Sequence, residues 1–248
     1  MIKLFRNMRK GLISDKNFGR YLLYAFGEIV LVVIGILIAL SINNWNENRK
    51  RKNKEIYYLN SVKTSIDLSQ KEFNRVINDA EEIHSSADTL IVLLATNSTN
   101  KLRNKTLDSL MYNSGDYSIM SLNDAGIKEI LNTGSLDIIQ DEGIRIILAS
   151  WDERIHEIRK FENETENLAR NYDKYIMDFI DLSRFFTDSL QGIVIPDKRN
   201  DLISDPVFRN HLGKISFAHA KMHNMYTEEK QFLDSLDILI DNYLDKNP

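Results

Sequence analysis

The stretch Tyr21–Ile42, YLLYAFGEIVLVVIGILIALSI, restricts this chain more than any other part of it. Its 22 residues hold one charge, Glu28. At about 1.5 Å of rise per residue, a helix of that length reaches roughly 33 Å, enough for the ~30 Å hydrocarbon layer of a bilayer. The run therefore predicts a single transmembrane helix. It divides the chain into a basic amphipathic arm (1–20), the span (21–42), a basic juxtamembrane segment (43–54) and a soluble domain (55–248). Tyr21 and Tyr24 at one end and Trp45 at the other stand where interfacial aromatics belong.

Charge sharpens that division. Residues 1–54 contain eleven Lys and Arg against Asp15, Glu28 and Glu47, a balance of +8, so the remainder carries −12 of the net −4. A basic anchor beside an acidic domain suits an anionic lipid surface and argues against nucleic acid as the domain's partner. In the arm, Ile2, Phe5, Met8 and Leu12 recur at helical spacing among Lys3, Arg6, Arg9 and Lys10, as in a helix lying on lipid; a disordered basic tail is the plainer alternative. A signal peptide cleaved near Ala39 and Ser41 competes with a retained anchor, but the basic region and the apolar run are both long for one. Six cations precede the span and five follow it. The positive-inside rule therefore leaves direction open, and the expected arrangement is that of an uncleaved signal anchor, with the amino terminus inside and the carboxy-terminal domain outside the cytoplasm.

Within the span, Glu28, Gly35, Ala39 and Ile42 share one helix face. The uncharged run after Glu28 has only 14 residues, so a full span takes Glu28 below the lipid surface. Gly35 and Ala39 form a small-x-x-x-small pair that lets two helices approach closely. Glu28, Gly35 and Ala39 are thus the candidate contact with a partner helix, either a second copy or another membrane protein. Two other readings of Glu28 remain: a protonated or headgroup-level side chain, and a proton-coupling group in an ion-driven complex.

From Glu55 to Ala95 there is no Gly or Pro. Leu59, Val62, Ile66, Ser69, Phe73, Val76, Ala80, Ile83, Ala87, Leu90 and Leu94 alternate steps of three and four, a seam interrupted only by Ser69. It can close on its own chain or on a second subunit. The polar run 96–105 reads as the far turn. A broken second helix is expected over Thr106–Tyr112 and Ser121–Asn132, with Ser121 and Asp124 as caps and Gly134 ending it. A third helix is expected over Asp141–Ser189, a loop over Gly192–Asn200, and a last helix from Pro206, capped by Asp205, to about Leu244. The fold class is all-α: one amino-terminal transmembrane helix, then an elongated up-and-down bundle of three long helices and one broken one.

Little catalytic chemistry is visible. There is no cysteine, no glycine-rich phosphate loop and no nucleophile elbow. His219-x-x-x-His223 has metal-binding spacing, but HAKMH lacks the glutamate of a zinc-protease helix. Ser69, Glu229 and Thr165 or Glu162 fall at similar heights and suggest a polar layer that fixes register, with no aromatic or basic residue aimed at it and a bound small ligand not expected. No catalytic residue, metal or cofactor is expected, and the chain does not read as an enzyme.

The segment YLLYAFGEIVLVVIGILIALSINNWNE, dense over Met1–Lys54, resembles the amino-terminal signature of an uncharacterised Bacteroidota family of single-span membrane proteins with a domain of unknown function. Looser agreement follows at Ile130–Leu136 and Leu202–Pro206. The resemblance implies a cell-envelope protein with a helical domain and no established activity. The expected function is a membrane-anchored interaction or scaffold protein. A sensor-like bundle signalling through the span, or an accessory subunit of an ion-driven complex, is the alternative.

Overall fold

The computed structural model describes residues 18–101, 104–183 and 198–247, and no strand occurs among them. The expected arm up to residue 17, the expected third helix beyond residue 183 and the loop over 192–197 lie outside the described residues. The helices are α1 (Phe18–Ala95), α2 (Asn104–Ser114), α3 (Ala125–Asn132), α4 (Glu142–Ala149), α5 (Trp151–Ile176), α6 (Arg199–Ser204) and α7 (Pro206–Lys246). Short 3-10 turns occupy Thr99–Lys101 and Ser135–Ile138. The fold is all-α, and the chain falls into two compact units, residues 1–55 and 56–248.

In the first unit, α1 is the one helix among the described residues long and apolar enough to cross a membrane. From Leu22 to Ile42 every side chain except those of Ala25 and Gly27 is exposed.

In the second unit, the seam from Leu59 to Leu94 is buried at every position, Ser69 included, and its cover comes from the same chain. Cross-links give the topology. Descending positions of α1 meet ascending positions of the second element: Glu82 with Asn113, Asp79 with Ser118, Ser69 with Asn123, Ser65 with Gly126 and Tyr58 with Ser135. α5 and α7 run antiparallel through Arg154–Glu229, Glu162–Tyr226 and Tyr175–Asp205. α7 also descends along α1 through Lys63–Asp237, Gln70–Asp234 and His84–Ser216. The result is an up-down-up-down bundle.

Local departures have local causes. The third helix breaks at Ser150, so that α4 and α5 replace one continuous rod, and α5 stops at Ile176 rather than running on to Ser189. Residues 121–124 are not helical. Asp124 precedes α3 but makes no side-chain cap; its Oδ2 instead accepts from Trp151 Nε1 at 2.8 Å. Gly134 is the left-handed residue that ends this element (φ 65°), as its position implies. Asp205 caps α7 as expected, its side chain accepting from the Val207 amide at 2.8 Å, with Pro206 in the first turn. Arg199 pairs with Asp108 at 2.6 Å and ties α6 to α2.

Candidate functional site

Two places hold polar or charged groups that the apolar pattern does not explain: the interior of the bundle and the apolar stretch of α1. In the interior, residues 116–124 run along α1 with no regular structure, so their backbone groups do not form a ladder with one another. Side chains from the flanking helices do the pairing. Ser69 Oγ donates to the Asn123 carbonyl (3.2 Å), and the Ser121 amide donates to Glu72 (2.6 Å). Arg75 donates to the Ile119 carbonyl (2.9 Å), and Arg159 to that of Met120 (2.7 Å). Glu162, 1% exposed, accepts at Oε1 from the Met120 amide and from the Tyr226 hydroxyl, both at 2.8 Å, and at Oε2 from Arg159 at 2.7 Å. Burial first, and then the Glu162 charge, push the Tyr226 hydroxyl well above its ordinary range, so it remains a donor. The Arg75 guanidinium holds the Glu72 carboxyl below its usual value.

The polar layer anticipated from spacing is therefore corrected. Ser69, Glu229 and Glu162 do not share one site. Glu229 pairs with Arg154 at 2.7 Å, Thr165 donates to the Glu162 carbonyl at 2.8 Å, and Ser69 serves the irregular segment. Nor does the interior lack aromatic and basic groups, since Tyr226, Arg154 and Arg159 all converge on these carboxylates. α5 follows the 3–4 rule through Ile158, Glu162 and Thr165, so Glu162 lies in the seam itself, and heptad spacing is the signal that identifies it. Tyr226 is one step of four beyond Met222 on the inner face of α7, but nothing local marks it as a hydrogen-bond donor.

A second feature is an interruption of the core. One apolar cluster ends at Ala80, Ile158 and Met222, and another resumes at Ile83, Tyr172 and Ile215. Between them lie buried Thr165, Ala169, Ser216 and His219. His219 is 2% exposed; its Nδ1–H donates to the Ile215 carbonyl at 3.0 Å, and Nε2 has no hydrogen-bond partner. Burial is the main cause that lowers its pKa, with Asp116 acting the other way. His223, its i+4 neighbour, is half-buried and reaches Glu81 at 4.0 Å, so the two histidines do not face a common point. Among the described residues no group of three or more His, Asp or Glu could hold a metal. Nearby, a cavity of about 140 Å³ beside Asp116, Tyr117 and Asp173 holds a carboxyl, Asp173, that burial and Asp116 push upward.

On the apolar stretch of α1, Glu28, Gly35 and Ala39 are all exposed, and a Cβ added at Gly35 would meet nothing within 4 Å. The helix brings the three onto one face, as spacing requires.

A family model described as a family of unknown function (DUF6090) matches residues 28–217, from Glu28 in the apolar stretch of α1 to Phe217 in α7. No curated protein and no solved structure matches the chain.

Proposed function

The chain belongs to the family of unknown function DUF6090, and from its own geometry we propose that it is a non-catalytic, membrane-anchored interaction protein. In this reading residues 21–42 cross a bacterial inner membrane once, the bundle faces the periplasm, and protein partners are bound through the span and the bundle. The observation that carries the proposal is the exposed apolar surface of α1. Leu23, Phe26, Leu31 and Ile42 are 61–78% exposed, and such residues continue around the whole helix. A band of that size exceeds the apolar patches soluble monomers present to water, whereas lipid covers it without loss. The bundle, by contrast, closes its own seam, which leaves the face of Glu28, Gly35 and Ala39 as the contact offered to a second copy or to another membrane protein.

The chain has no cysteine, so one introduced thiol reports without background. Ala39→Cys in native membranes is expected to give an oxidative dimer or a defined hetero-adduct. Leu37→Cys, about 200° away around the helix, should give little, and Gly35→Leu should cut the Ala39→Cys product several-fold. Absence of any adduct at Ala39→Cys rejects the helix contact. Protease added to right-side-out vesicles tests orientation, and a protected bundle rejects the periplasmic placement.

The polar break at His219 supports a second reading, a sensor-like bundle, because a buried acceptor without a donor is where a proton or small ligand would act. Purification in mild detergent separates the two: a stoichiometric membrane protein supports the first, and a specific small molecule supports the second.

A further inference from the structure

The juxtamembrane segment carries a ring of charge that the helix contact does not use. Arg49, Lys50, Arg51, Lys52 and Lys54 follow the apolar stretch within α1, with Glu47 the one acid among residues 43–54. At about 100° per residue, these five cations point in directions spread around the full circumference, with no sector wider than about 100° left without one. A protein partner docks on one side of a helix and selects charges on that side. A plane of headgroups pierced by the helix meets every side at once, and so reaches the exposed Arg49, Lys50, Arg51 and Lys54 together, with Lys52 half-buried beside them.

The side chains also lean the right way. Helical Cα–Cβ bonds tilt toward the amino terminus, here toward the apolar stretch. The guanidinium of Arg49 lies over the Trp45 ring, 5.8 Å from its centroid, and Lys50 reaches back to Glu47 at 3.1 Å. Arg49 is seven residues past Ile42, about 10 Å along the axis. Leaning back by one turn brings its charge to the level of Trp45, which is 63% exposed and stands where an interfacial indole belongs.

We propose that Trp45 to Lys54 form a collar that binds anionic lipid headgroups around the helix. The proposal rests on the membrane reading of residues 21–42 and adds the class of lipid.

The test uses the full-length chain reconstituted in phosphatidylcholine vesicles containing equal fractions of either brominated phosphatidylglycerol or brominated phosphatidylcholine. Fluorescence quenching is assigned to Trp45 by its loss in Trp45→Phe. Quenching by the anionic lipid is expected to exceed that by the zwitterionic lipid at least about twofold at low salt. The ratio should fall toward one in about 0.5 M salt, where the Debye length shrinks below about 5 Å. It should do the same at low salt when the five cations are replaced by Gln, which keeps helix propensity. Equal quenching of the unaltered chain by both lipids overturns the collar and leaves the span intact. A preference that survives the five Gln substitutions overturns it as well. No quenching by either lipid removes the span reading, and the collar with it.

Discussion

Glu162 is buried with both oxygens in use: Oε1 accepts from the Met120 amide, in the one segment that cannot satisfy itself, and from the Tyr226 hydroxyl of α7, and Oε2 accepts from Arg159 of α5. Replacing it with Ala leaves the Met120 amide and the Tyr226 hydroxyl buried without partners. Each orphan costs about 1–3 kcal/mol, so Glu162→Ala is expected to lower stability by about 3 kcal/mol, read as a fall in urea midpoint at constant slope. Tyr226→Phe removes only one donor and should cost about 1 kcal/mol. The double variant should lose less than the sum, since both changes touch the same bond. His219 supplies the pH prediction. Its folded-state pKa lies below the ordinary histidine value, so the folded form prefers the neutral ring and the unfolded chain binds the proton more readily. Stability should be flat above the ordinary value near about 6.5 and fall as pH drops through it. His219→Asn, which retains a donor for the Ile215 carbonyl, should flatten that acid slope, and an unchanged slope would remove His219 as its source. Partly buried His211 is shifted the same way and contributes the residual.

At the scale of elements, the second strut of the bundle is the informative one. Its irregular course between Ser114 and Ala125 is held because Ser69, Glu72, Arg75, Arg159 and Glu162 bond its backbone in place of a helical ladder. α3 then presses its first turn against α1: the Gly126 amide donates to Ser65 Oγ at 2.8 Å, and a Cβ at Gly126 would lie 2.2 Å from the Ser61 carbonyl oxygen. Gly126→Ala is therefore expected to cost about 2–3 kcal/mol by overpacking, seen as a lower thermal midpoint. Gly213→Ala, at an exposed position of α7 where nothing lies within 4 Å, should be neutral or slightly stabilising by helix propensity. Phe73 is fully buried in the seam, and Phe73→Ala should cost about 3–5 kcal/mol.

For the whole molecule, the seam that could have joined two subunits is covered within one chain, so the bundle has no need of a second copy. Residues 56–248 expressed alone are expected to be soluble, highly helical by circular dichroism, cooperative in unfolding and monomeric in sedimentation equilibrium. A tight dimer, or a chain that fails to fold without residues 1–55, would contradict this. Self-association of the full-length protein would then trace to the span, where Gly35→Leu should weaken it and Phe217→Ser, a change at an exposed bundle position, should not.

By itself the sequence determined the helical class, the seam positions, the Asp205 and Gly134 ends and the apolar stretch long enough to span a bilayer. All of these follow from period, length and backbone preference, which act between neighbours in the chain. It also marked Ser69 as a break without giving the reason. Only the tertiary structure showed that Ser69 and Glu162 are there for the carbonyls and amides of residues 119–123, that Asp124 receives the Trp151 indole instead of capping α3, and that the third rod breaks at Ser150. Those outcomes depend on groups dozens of residues apart meeting in a water-free interior, where an unpaired backbone group is costly enough to dictate which side chains must be polar.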